Sequence, residues 1–542
     1  MEIVELSLRS SNQLVNDLHD QTLNNELFFD YNVYSSEVYQ SRVEDLKKRS
    51  FQRKELSAYL REYTNRCLDQ NGKILENIER LEEPNSLVVI GGQQAGLLTG
   101  PLYTIHKIIT ILKLAKDQEQ KLGVPVIPVF WIAGEDHDFA EINHIFIKTN
   151  KLAKKVAIKD YPLKKQSVSE QPINHVKTME WIEQVFEAFG ETDYSNKLIG
   201  SIKDCVEKSK TYVDFFEKLI LNLFGDTGLV LINSGDPHIK SIEKACFRAI
   251  IDRNEEIYHA VQSQQIEMRQ HHYQPIIEMA ENSANLFFHH NGERFLLERN
   301  GNDEFYLSEV GLTVSKAELM DLIETSPEKF SNNVVTRPLM QEYLFPTLAF
   351  IAGPGEVTYW AELKKVFSLF QMKMPPVLPR IQMTILERAI ERNITETGVE
   401  IEKVFSEGVQ KAIEEFLHKE TPIDINPLIE KAKNSINDIH SSLIEAALEI
   451  DPSLKPVLTK NGEFILDHLE FFSKTVEKRK RQKHDVMLSK FHSIELELMP
   501  SLHPQERIWN IYYYLNKFGP EFVGELLNLS YSFNGKHKIV KI

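Results

Sequence analysis

The sequence predicts an α/β fold: a Rossmann-like parallel-sheet core with inserted connecting segments, plus a long antiparallel α-helical coiled-coil arm. The short apolar run at residues 86–90 is followed by a glycine-rich turn and a helix-like segment, which is the order strand, turn, helix. The apolar run at 124–133 ends in polar side chains, as buried parallel strands do at their carboxyl ends. Beyond Arg380 the pattern is almost entirely helical, with apolar residues spaced by three and four.

The chain of 542 residues is longer than one hydrophobic core usually organises, so several structural units are expected. Asn-Gly turns indicate a hairpin-rich insertion, and a break at 451–462 divides the arm into two helices. The predicted segments are a helical lead-in packing on the core (1–84), the first part of the core (85–147), a helical insertion (148–226), the second part of the core (227–275), a small β-rich insertion (276–330), the third part of the core (331–381), the coiled-coil domain (382–498) and a segment returning to the core (499–542).

Composition narrows the class of protein. A net charge of -16 argues against nucleic acid or a membrane surface as a partner, and the basic run at 478–483 is assigned to a solvated face of the arm. No signal peptide or membrane-spanning run is found, so a cytoplasmic location is expected. The cysteines Cys67, Cys205 and Cys246 are far apart, which indicates neither disulfides nor a thiolate zinc site.

The turn from Gly91 to Gly100 places free backbone amides before a helix, where a phosphate or carboxylate is favoured. It does not match G-x-G-x-x-G, and Leu97-Leu98 stand where a P-loop requires Lys and Ser or Thr. The alternative is a structural turn whose glycines allow tight packing. The adjacent glutamines favour ligand binding, for which the candidates are Gly92, Gln93, Gln94 and Gly96.

Thr104 and His106 lie at the start of the following helix, where a side chain can point back over a bound anion. His106 is therefore a candidate donor to a phosphate or a leaving group. A packing role beside Ile105 and Ile108 is the alternative. Lys107 is assigned no role, because a solvated position explains it.

The segment after the second apolar run concentrates charged side chains at a predicted strand end. Such a cluster could be a metal ligand set, a general base or an ammonium clamp, and a surface charge run is the alternative. The candidates here are Trp131, Glu135, Asp136, His137, Asp138 and Asn143.

Two further strand-end turns suggest that several strands meet at one crevice. Arginines beside prolines are candidate forks for carboxylates. An aromatic segment near the carboxyl terminus could hold a nucleotide, although core packing explains it equally well. The candidates are Asn233 and Asp236; Gly355, Glu356, Tyr359 and Trp360; Arg337 and Arg380; and, for a nucleotide, Gln505, Arg507 and Trp509.

The motifs GGQQAGLLTGPLYTIHK, FWIAGEDHDFAEIN, FIAGPGEVTYWAEL and HPQERIWN, in this order, resemble the family of bacillithiol biosynthesis cysteine-adding enzymes. The resemblance covers the whole chain. It implies a ligase that joins the carboxyl of cysteine to the amino group of glucosaminyl-malate, the last step of bacillithiol biosynthesis. It also implies a class I synthetase-like core, and the helical hairpin is expected to form a homodimer.

The sequence departs from class I synthetases, because Thr104-Ile105-His106-Lys107 replaces His-Ile-Gly-His and no Lys-Met-Ser-Lys-Ser is found. An adenylation step is therefore not predicted from these motifs. ATP or another nucleotide is the candidate activator, and no metal is predicted.

The resemblance gives the candidate residues roles. The glycine-rich turn and His106 would hold phosphate or the malyl carboxylates, while Asp136, His137 and Asp138 would position the amine or remove its proton. Two alternatives stay open. One is a nucleotide-binding coiled-coil scaffold that recruits another ligase, and the other is a metal-dependent hydrolase that uses Glu135 to Asp138.

Overall fold

The computed structural model describes residues 1–67, 72–149, 152–160, 164–301 and 303–542. The chain divides into two compact units, the first of residues 1–385 and 505–541 and the second of residues 386–504 and 542. The strands of the described residues are β1 (Glu2–Leu6), β2 (Leu87–Gln93), β3 (Val126–Ile132), β4 (His144–Lys148), β5 (Ala153–Ala157), β6 (Val230–Asn233), β7 (Ser283–His290), β8 (Glu293–Asn300), β9 (Glu304–Leu307), β10 (Leu312–Ser315), β11 (Phe330–Asn332), β12 (Thr347–Ala352), β13 (Val377–Pro379), β14 (Met383–Leu386) and β15 (His537–Lys541).

The centre of the first unit is a five-stranded sheet in the order β13-β12-β2-β3-β6, with every pair of neighbours parallel. The chain begins this sheet at β2, adds two strands on one side and later two on the other. This is the doubly wound Rossmann order, with its switch point between β2 and β12. The predicted α/β fold with a parallel sheet is confirmed.

Burial on both faces explains why these strands are continuous apolar runs. Val88, Val89 and Ile90 are fully buried, and so is every residue of β12 from Leu348 to Ala352. The helices of this unit are Gln13–His19, Asn25–Phe28, Val38–Leu46, Arg53–Cys67, Gly72–Arg80, Tyr103–Leu122, Phe139–Ile142, His175–Phe189, Ser195–Glu207, Tyr212–Phe224, Lys240–Asp252, Asn254–Gln270, Lys316–Thr325, Thr336–Leu344, Pro354–Ala361, Lys364–Leu369, Gln505–Ile508, Ile511–Phe518 and Phe522–Asn528.

A second sheet of five strands, in the order β10-β9-β8-β7-β11, is antiparallel throughout. Its strands β7 and β8 are joined by Asn291-Gly292, both with positive φ, as a tight hairpin requires. Most of this sheet lies in the segment predicted as β-rich, while β11 extends it to residue 332. The sheet brings Arg294 and Asn332 to the site described below.

Two segments predicted as helical also contain strands. The lead-in contains β1, which pairs antiparallel with β15 from the far end of the chain. The insertion after residue 148 contains β5, which pairs with β4. The partner of β1 is more than 500 residues away, so no local pattern could indicate this pairing.

The second unit is helical throughout its described length. His440 Nε2 lies 3.1 Å from Asn461 Oδ1, and Ser473 donates to the side chain of Asn426 at 3.3 Å, so two long helices pair antiparallel. The predicted coiled-coil hairpin is confirmed, and it forms most of the compact unit of residues 386–504. Its helices are Arg388–Thr397, Ile401–Glu407, Gln410–Glu420, Asn426–Ile450, Lys455–Lys483 and Asp485–Leu498.

The apolar seam expected on the first long helix comprises Ile436, Ile439, Leu443, Ala446 and Ile450, and the second helix covers it only in part. Ile436 is half-buried, whereas Ile439, Leu443 and Ile450 are 63%, 63% and 84% exposed. The two long helices contact each other through a neighbouring face instead, on which His440 lies.

Among the described residues no helix is long and apolar enough to cross a membrane.

Candidate active site

A cleft of about 900 Å³ opens at the carboxyl edge of the central sheet. Residues directly after β2, β3, β6, β12 and β13 line it, because the carboxyl ends of parallel strands meet at one edge. A smaller cavity of about 140 Å³ adjoins it. The predicted site residues that line the cleft are Gly92, Gln93, Gln94, Glu135, Asp136, His137, Arg337, Gly355, Glu356, Tyr359, Arg380 and Arg507, and Gly96 and Thr104 line the smaller cavity.

Close packing requires the first two glycines of the glycine-rich turn. A Cβ at Gly92 would lie 2.8 Å from the carbonyl oxygen of Trp131, and one at Gly91 would lie 3.0 Å from that of Ile351. Any larger residue would therefore push β2 away from the strands on both of its sides. The packing explanation accounts for these glycines, while the side chains of the following glutamines reach the cleft.

The rest of the turn is held from the carboxyl-terminal segment. Leu98 and Gly100 have φ values of 48° and 71°, in the left-handed region. The side-chain amide of Asn510 donates hydrogen bonds of 2.7 Å to the carbonyl oxygens of both residues. Residues 505–541 thus help to shape the wall of the site.

Lys107 is buried in this wall and is not solvated. Its ammonium group donates to the carbonyl oxygen of Gly92 at 2.6 Å and to the carboxylate of Glu356. Burial lowers the pKa of Lys107, and the charge of Glu356 opposes that shift. Glu356 also accepts the backbone N–H of Gly353 at 2.6 Å, so the pair connects the ends of β2 and β12.

Arg380 lines the cleft, but its guanidinium group is bonded to a buried glutamate. It donates to both carboxylate oxygens of Glu506, at 2.6 and 2.7 Å, and both side chains are buried. Burial raises the pKa of Glu506, but the charge of Arg380 and the hydrogen bonds from His106 and Arg380 outweigh it, so that the pKa lies below its ordinary value.

His106 lies beneath the cleft and not on its surface. Its Nδ1 is 3.0 Å from the carboxylate of Glu506, and the ring is fully buried. Burial lowers the pKa of the imidazole against the charge of Glu506, and because a carboxylate only accepts hydrogen bonds, His106 donates its Nδ1–H to Glu506. The expected role as a donor to a substrate phosphate is therefore corrected: His106 orients the Arg380–Glu506 pair.

Glu135 is held by a buried lysine. Lys240 bonds Glu135 and lies 3.0 Å from Glu243, and all three side chains are buried. The second oxygen of Glu135 accepts the backbone N–H of Asn332 at 2.7 Å. Burial raises the pKa of Glu243 to about 7, against the charge of Lys240. One ammonium thus serves two carboxylates, of which Glu135 faces the cleft.

Asp136 and Glu141 share one amide donor and differ in their pKa. Gln94 donates to Asp136 at 3.1 Å and also to Glu141. Burial raises the pKa of Asp136, but the hydrogen bond from Gln94 and the charge of Arg294 outweigh it and lower the pKa. Burial and the nearby charge of Asp136 raise the pKa of Glu141, against the hydrogen bond from Gln94. The two carboxyls are therefore suited to different tasks.

His137 is bonded to an arginine. Arg294 Nη1 lies 3.0 Å from His137 Nδ1, and the guanidinium carbon lies 3.6 Å from the ring centre of Phe287. Burial and the charge of Arg294 lower the pKa of His137. At the other side of the cleft Arg337 donates to the phenol oxygen of Tyr359.

Several of the predicted site residues line neither of the two cavities described above. They are His106, Trp131, Asp138, Asn143, Asn233, Asp236, Trp360, Gln505 and Trp509. Trp131, Trp360 and Trp509 are core residues with at most 4% exposure. Gln505 is fully buried and bonds the backbone N–H and carbonyl of Ile385, so its amide is not exposed to a ligand in either cavity.

The polar members of this set stabilise local structure. Asp138 caps the short helix after β3 by accepting the N–H of Ala140 at 3.0 Å. Asn233 accepts the N–H of Gly235, and Asn143 is buried. Asp236 accepts a hydrogen bond of 2.5 Å from Arg66, and it lines neither cavity.

Sequence reasoning did not select several residues that line the cleft, among them Tyr103, Lys107, Glu141, Arg294 and Asn332. Glu141 lies three positions beyond the acidic segment, and Lys107 is one turn into the helix after the glycine-rich turn. Those two positions could have been found by extending the motifs by one helical turn. Arg294 and Asn332 come from the β-rich insertion and its neighbour, which no strand-end pattern marks.

The acidic segment does not form a metal ligand set. Among the described residues no three His, Cys, Asp or Glu side chains converge in a way that could hold a metal ion. Glu135 binds Lys240 and His137 binds Arg294, so two of the four candidate ligands already face cations. In this arrangement the described residues do not supply the metal ligands that the metal-dependent hydrolase alternative requires.

The fold and the site define an α/β protein of the Rossmann type with a charged cleft at the switch point of its sheet. A family model described as bacillithiol biosynthesis BshC, N-terminal Rossmann-like domain, matches residues 1–381. The model for the C-terminal coiled-coil domain of BshC matches residues 383–542. The chain belongs to the BshC family of bacillithiol biosynthesis.

Relatives share the full length of the chain. Proteins of Bacillus licheniformis and of a Geobacillus strain, WCH70, are 47% and 45% identical and cover 100% of both chains. A protein of Bacillus velezensis is 45% identical over the same share. All three bear the name "Putative cysteine ligase BshC". A solved arginyl-tRNA synthetase-like structure from Campylobacter jejuni is 11% identical, covers 82% of this chain and 99% of its own, and has a TM-score of 0.20, which supports no conclusion.

Proposed function

We propose that this protein is a ligase that joins cysteine through its carboxyl group to the amino group of glucosaminyl-malate, the last step of bacillithiol biosynthesis. The observation that carries the proposal is the charge arrangement of the cleft. Asp136 and Glu141 line it together with Arg294, Arg337 and Arg507. An acceptor with one amine and two carboxylates needs both signs of charge in one site.

Asp136 and Glu141 have different roles towards the amine of the acceptor. Asp136, whose pKa is lowered, stays ionised and binds the ammonium form. Glu141 has a raised pKa, which makes its carboxylate a stronger base than that of Asp136. Glu141 therefore accepts the proton that the amine must lose before it attacks. Gln94 holds both carboxyls and so fixes their separation.

Amide formation from a carboxylate needs activation of the carboxyl, and ATP or another nucleotide is the proposed co-reactant. Of the three residues expected to hold the nucleotide, only Arg507 lines the cleft. Gln505 and Trp509 are buried and do not fit that role. The assay with and without ATP shows whether a nucleotide is required.

The assay mixes the purified protein, cysteine and glucosaminyl-malate with and without ATP, and detects the amide by mass spectrometry. Asp136→Asn is expected to lower kcat/KM by about 10²-fold or more, because the amine loses its positioning charge. Asp138→Asn is the matched control, since it removes an equal charge two positions away and an Asn still caps the helix. No amide with any nucleotide would sink the proposal.

The scaffold alternative predicts a different result in cells. A protein that only recruits another ligase would keep cellular bacillithiol unchanged in the Asp136→Asn strain. A loss of the thiol in that strain, with normal protein level and normal thiol in the Asp138→Asn strain, supports catalysis in this cleft.

We also propose a homodimer through the arm. Ile439, Leu443 and Ile450 form an exposed apolar row on one long helix, which a second copy of the arm would cover. Light scattering should give twice the chain mass of 62.8 kDa. The double change Ile439→Glu and Leu443→Glu is expected to give a monomer, and the exposed Ser441→Glu on the same helix is expected to stay dimeric. A monomeric wild-type protein would contradict the proposal.

A further inference from the structure

Arg294 is a buried cation in the wall of the cleft whose bonded partners are all neutral. It is 5% exposed, and its guanidinium donates to Ser331 Oγ at 3.0 Å, to the carbonyl oxygen of Asn332 at 2.8 Å and to His137 Nδ1 at 3.0 Å. No ion pair of the described residues includes it. Buried charges are normally paired, so this site lacks an anion.

The two nearest carboxylates are already engaged. One oxygen of Glu135 bonds Lys240 and the other accepts the N–H of Asn332. Asp136 accepts from Gln94 and from the backbone N–H of His137. Both lower the electrostatic cost of the guanidinium without forming a hydrogen bond to it.

The bond to Arg294 fixes the protonation state of His137. An arginine can only donate, so Nδ1 of His137 must accept and carries no proton. The proton of the neutral ring is therefore on Nε2, which has no hydrogen-bond partner among the described residues. Asp136 Oδ1 lies 4.0 Å from Nδ1, too far to replace the arginine, and Asp138 and Lys165 are the other charged groups that act on the ring.

Asn332, whose carbonyl oxygen accepts from Arg294, has a second unused hydrogen-bond donor. It is 4% exposed, and neither its Nδ2 nor its Oδ1 has a hydrogen-bond partner, although it lines the cleft. Its backbone is held on both sides, by Glu135 at the N–H and by Arg294 at the carbonyl. A buried amide left without partners is costly, so a ligand is expected to satisfy it.

We propose that His137, Asn332 and Arg294 form a carboxylate-binding site, in which His137 Nε2–H and Asn332 Nδ2–H donate to carboxylate oxygens while Arg294 supplies the positive charge. His137 is then a hydrogen-bond donor to the substrate and not the group that accepts the proton of the amine. Arg294 is the positioning residue. The carboxylate belongs to the malyl group or to cysteine, and this part of the inference rests on the proposed function.

Binding of the two carboxylates separately tests the site without turnover. L-malate and L-cysteine are each titrated into the full-length protein by calorimetry. Asn332→Asp is expected to weaken binding of the recognised compound by about 10-fold or more, because a like charge replaces a donor. Asn333→Asp is the matched control, since it adds the same charge one residue along the same cleft and an Asp still caps the helix that follows.

A pair of substitutions at His137 separates a donor from a base. His137→Gln keeps an N–H near the position of Nε2 but cannot accept a proton, and it is expected to stay within about 3-fold of the wild-type affinity. His137→Leu lacks the donor and is expected to lose about 10-fold or more. Equal losses in Asn332→Asp and Asn333→Asp, or equal losses in both His137 variants, would overturn the proposal.

The tautomer of His137 can be read directly. In protein labelled with ¹⁵N-histidine at about pH 7 to 8, the ring of His137 is expected to show a protonated Nε2 and an unprotonated Nδ1, as a ring that accepts from arginine must. A proton on Nδ1, or an imidazolium in that range, would overturn the proposal. Intact binding and tautomer with no amide product would instead count against the ligase assignment alone. Binding of only one compound assigns the carboxylate to its source.

Discussion

Replacing Arg380 by methionine is expected to lower the free energy of unfolding by about 3–5 kcal/mol, because it leaves the carboxylate of Glu506 buried without its cation. The side chains are 5% and 4% exposed, and two hydrogen bonds of 2.6 and 2.7 Å join them. Only the Nδ1–H of His106 would then remain for Glu506 among the contacts described above. Urea unfolding followed by circular dichroism measures the change.

The matched control removes both charges. The double variant Arg380→Met and Glu506→Leu keeps an apolar side chain at each position, so it is expected to recover at least half of the loss. A single variant within about 1 kcal/mol of wild type would show that Glu506 finds another partner or takes up a proton at no cost. The same result would reopen Arg380 as a group available to a substrate.

The pH dependence of this pair has a definite sign. The folded-state pKa of Glu506 lies below its ordinary value, so the pair contributes stability above the ordinary pKa of a glutamate. That contribution is lost as the pH falls through the folded-state pKa. The wild-type advantage over Arg380→Met should therefore shrink in acid.

The position of the site could be predicted from the sequence because strand ends have a geometric consequence. Once the run at 87–93 and the run at 126–132 are parallel neighbours, residues after both must share one edge of the sheet. The strand ends therefore predict that Gln93, Asp136 and Glu356 lie at one cleft, and all three line it.

The partners of these side chains could not be predicted from the sequence. Arg294 reaches His137 from a hairpin 157 positions away, and Glu506 reaches His106 from 400 positions away. Hydrophobic periodicity reports which face of an element is buried, and it carries no information about which buried charge meets which. His106 and Arg380 were therefore placed near the correct region but given contacts with a substrate in place of contacts with Glu506.

The exposed seam of the arm shows a similar limit. Ile439, Leu443 and Ile450 have the spacing of a coiled-coil interface, and the sequence correctly indicates that they form one row. Spacing does not tell whether a row faces the other half of its own hairpin or a second chain. In the structure the row faces away from the hairpin, which is why the oligomeric state has to be measured.

Lys240→Met is expected to be about as damaging as Arg380→Met, with a loss of about 3–5 kcal/mol in the free energy of unfolding. The substitution leaves the carboxylate of Glu135 buried with no cation bonded to it, and it also removes the partner of the Glu243 carboxyl group. Because Glu135 also holds the backbone N–H of Asn332, its displacement should disturb the cleft and lower ligase activity in any protein that still folds.

Glu243→Gln is the informative control, because it changes the same triad with the opposite expectation. The pKa of Glu243 is raised to about 7, so the wild-type side chain is largely protonated below that pH. A raised folded-state pKa means that this carboxyl costs stability as the pH rises from its unfolded value towards 7. Glu243→Gln, which cannot take up a charge, should therefore be at least as stable as the wild type at pH 6, and its advantage should grow at pH 8. If Glu243→Gln were as damaging as Lys240→Met at both pH values, Glu243 would be the charged partner of Lys240, and Glu135 would be the carboxyl that carries the proton.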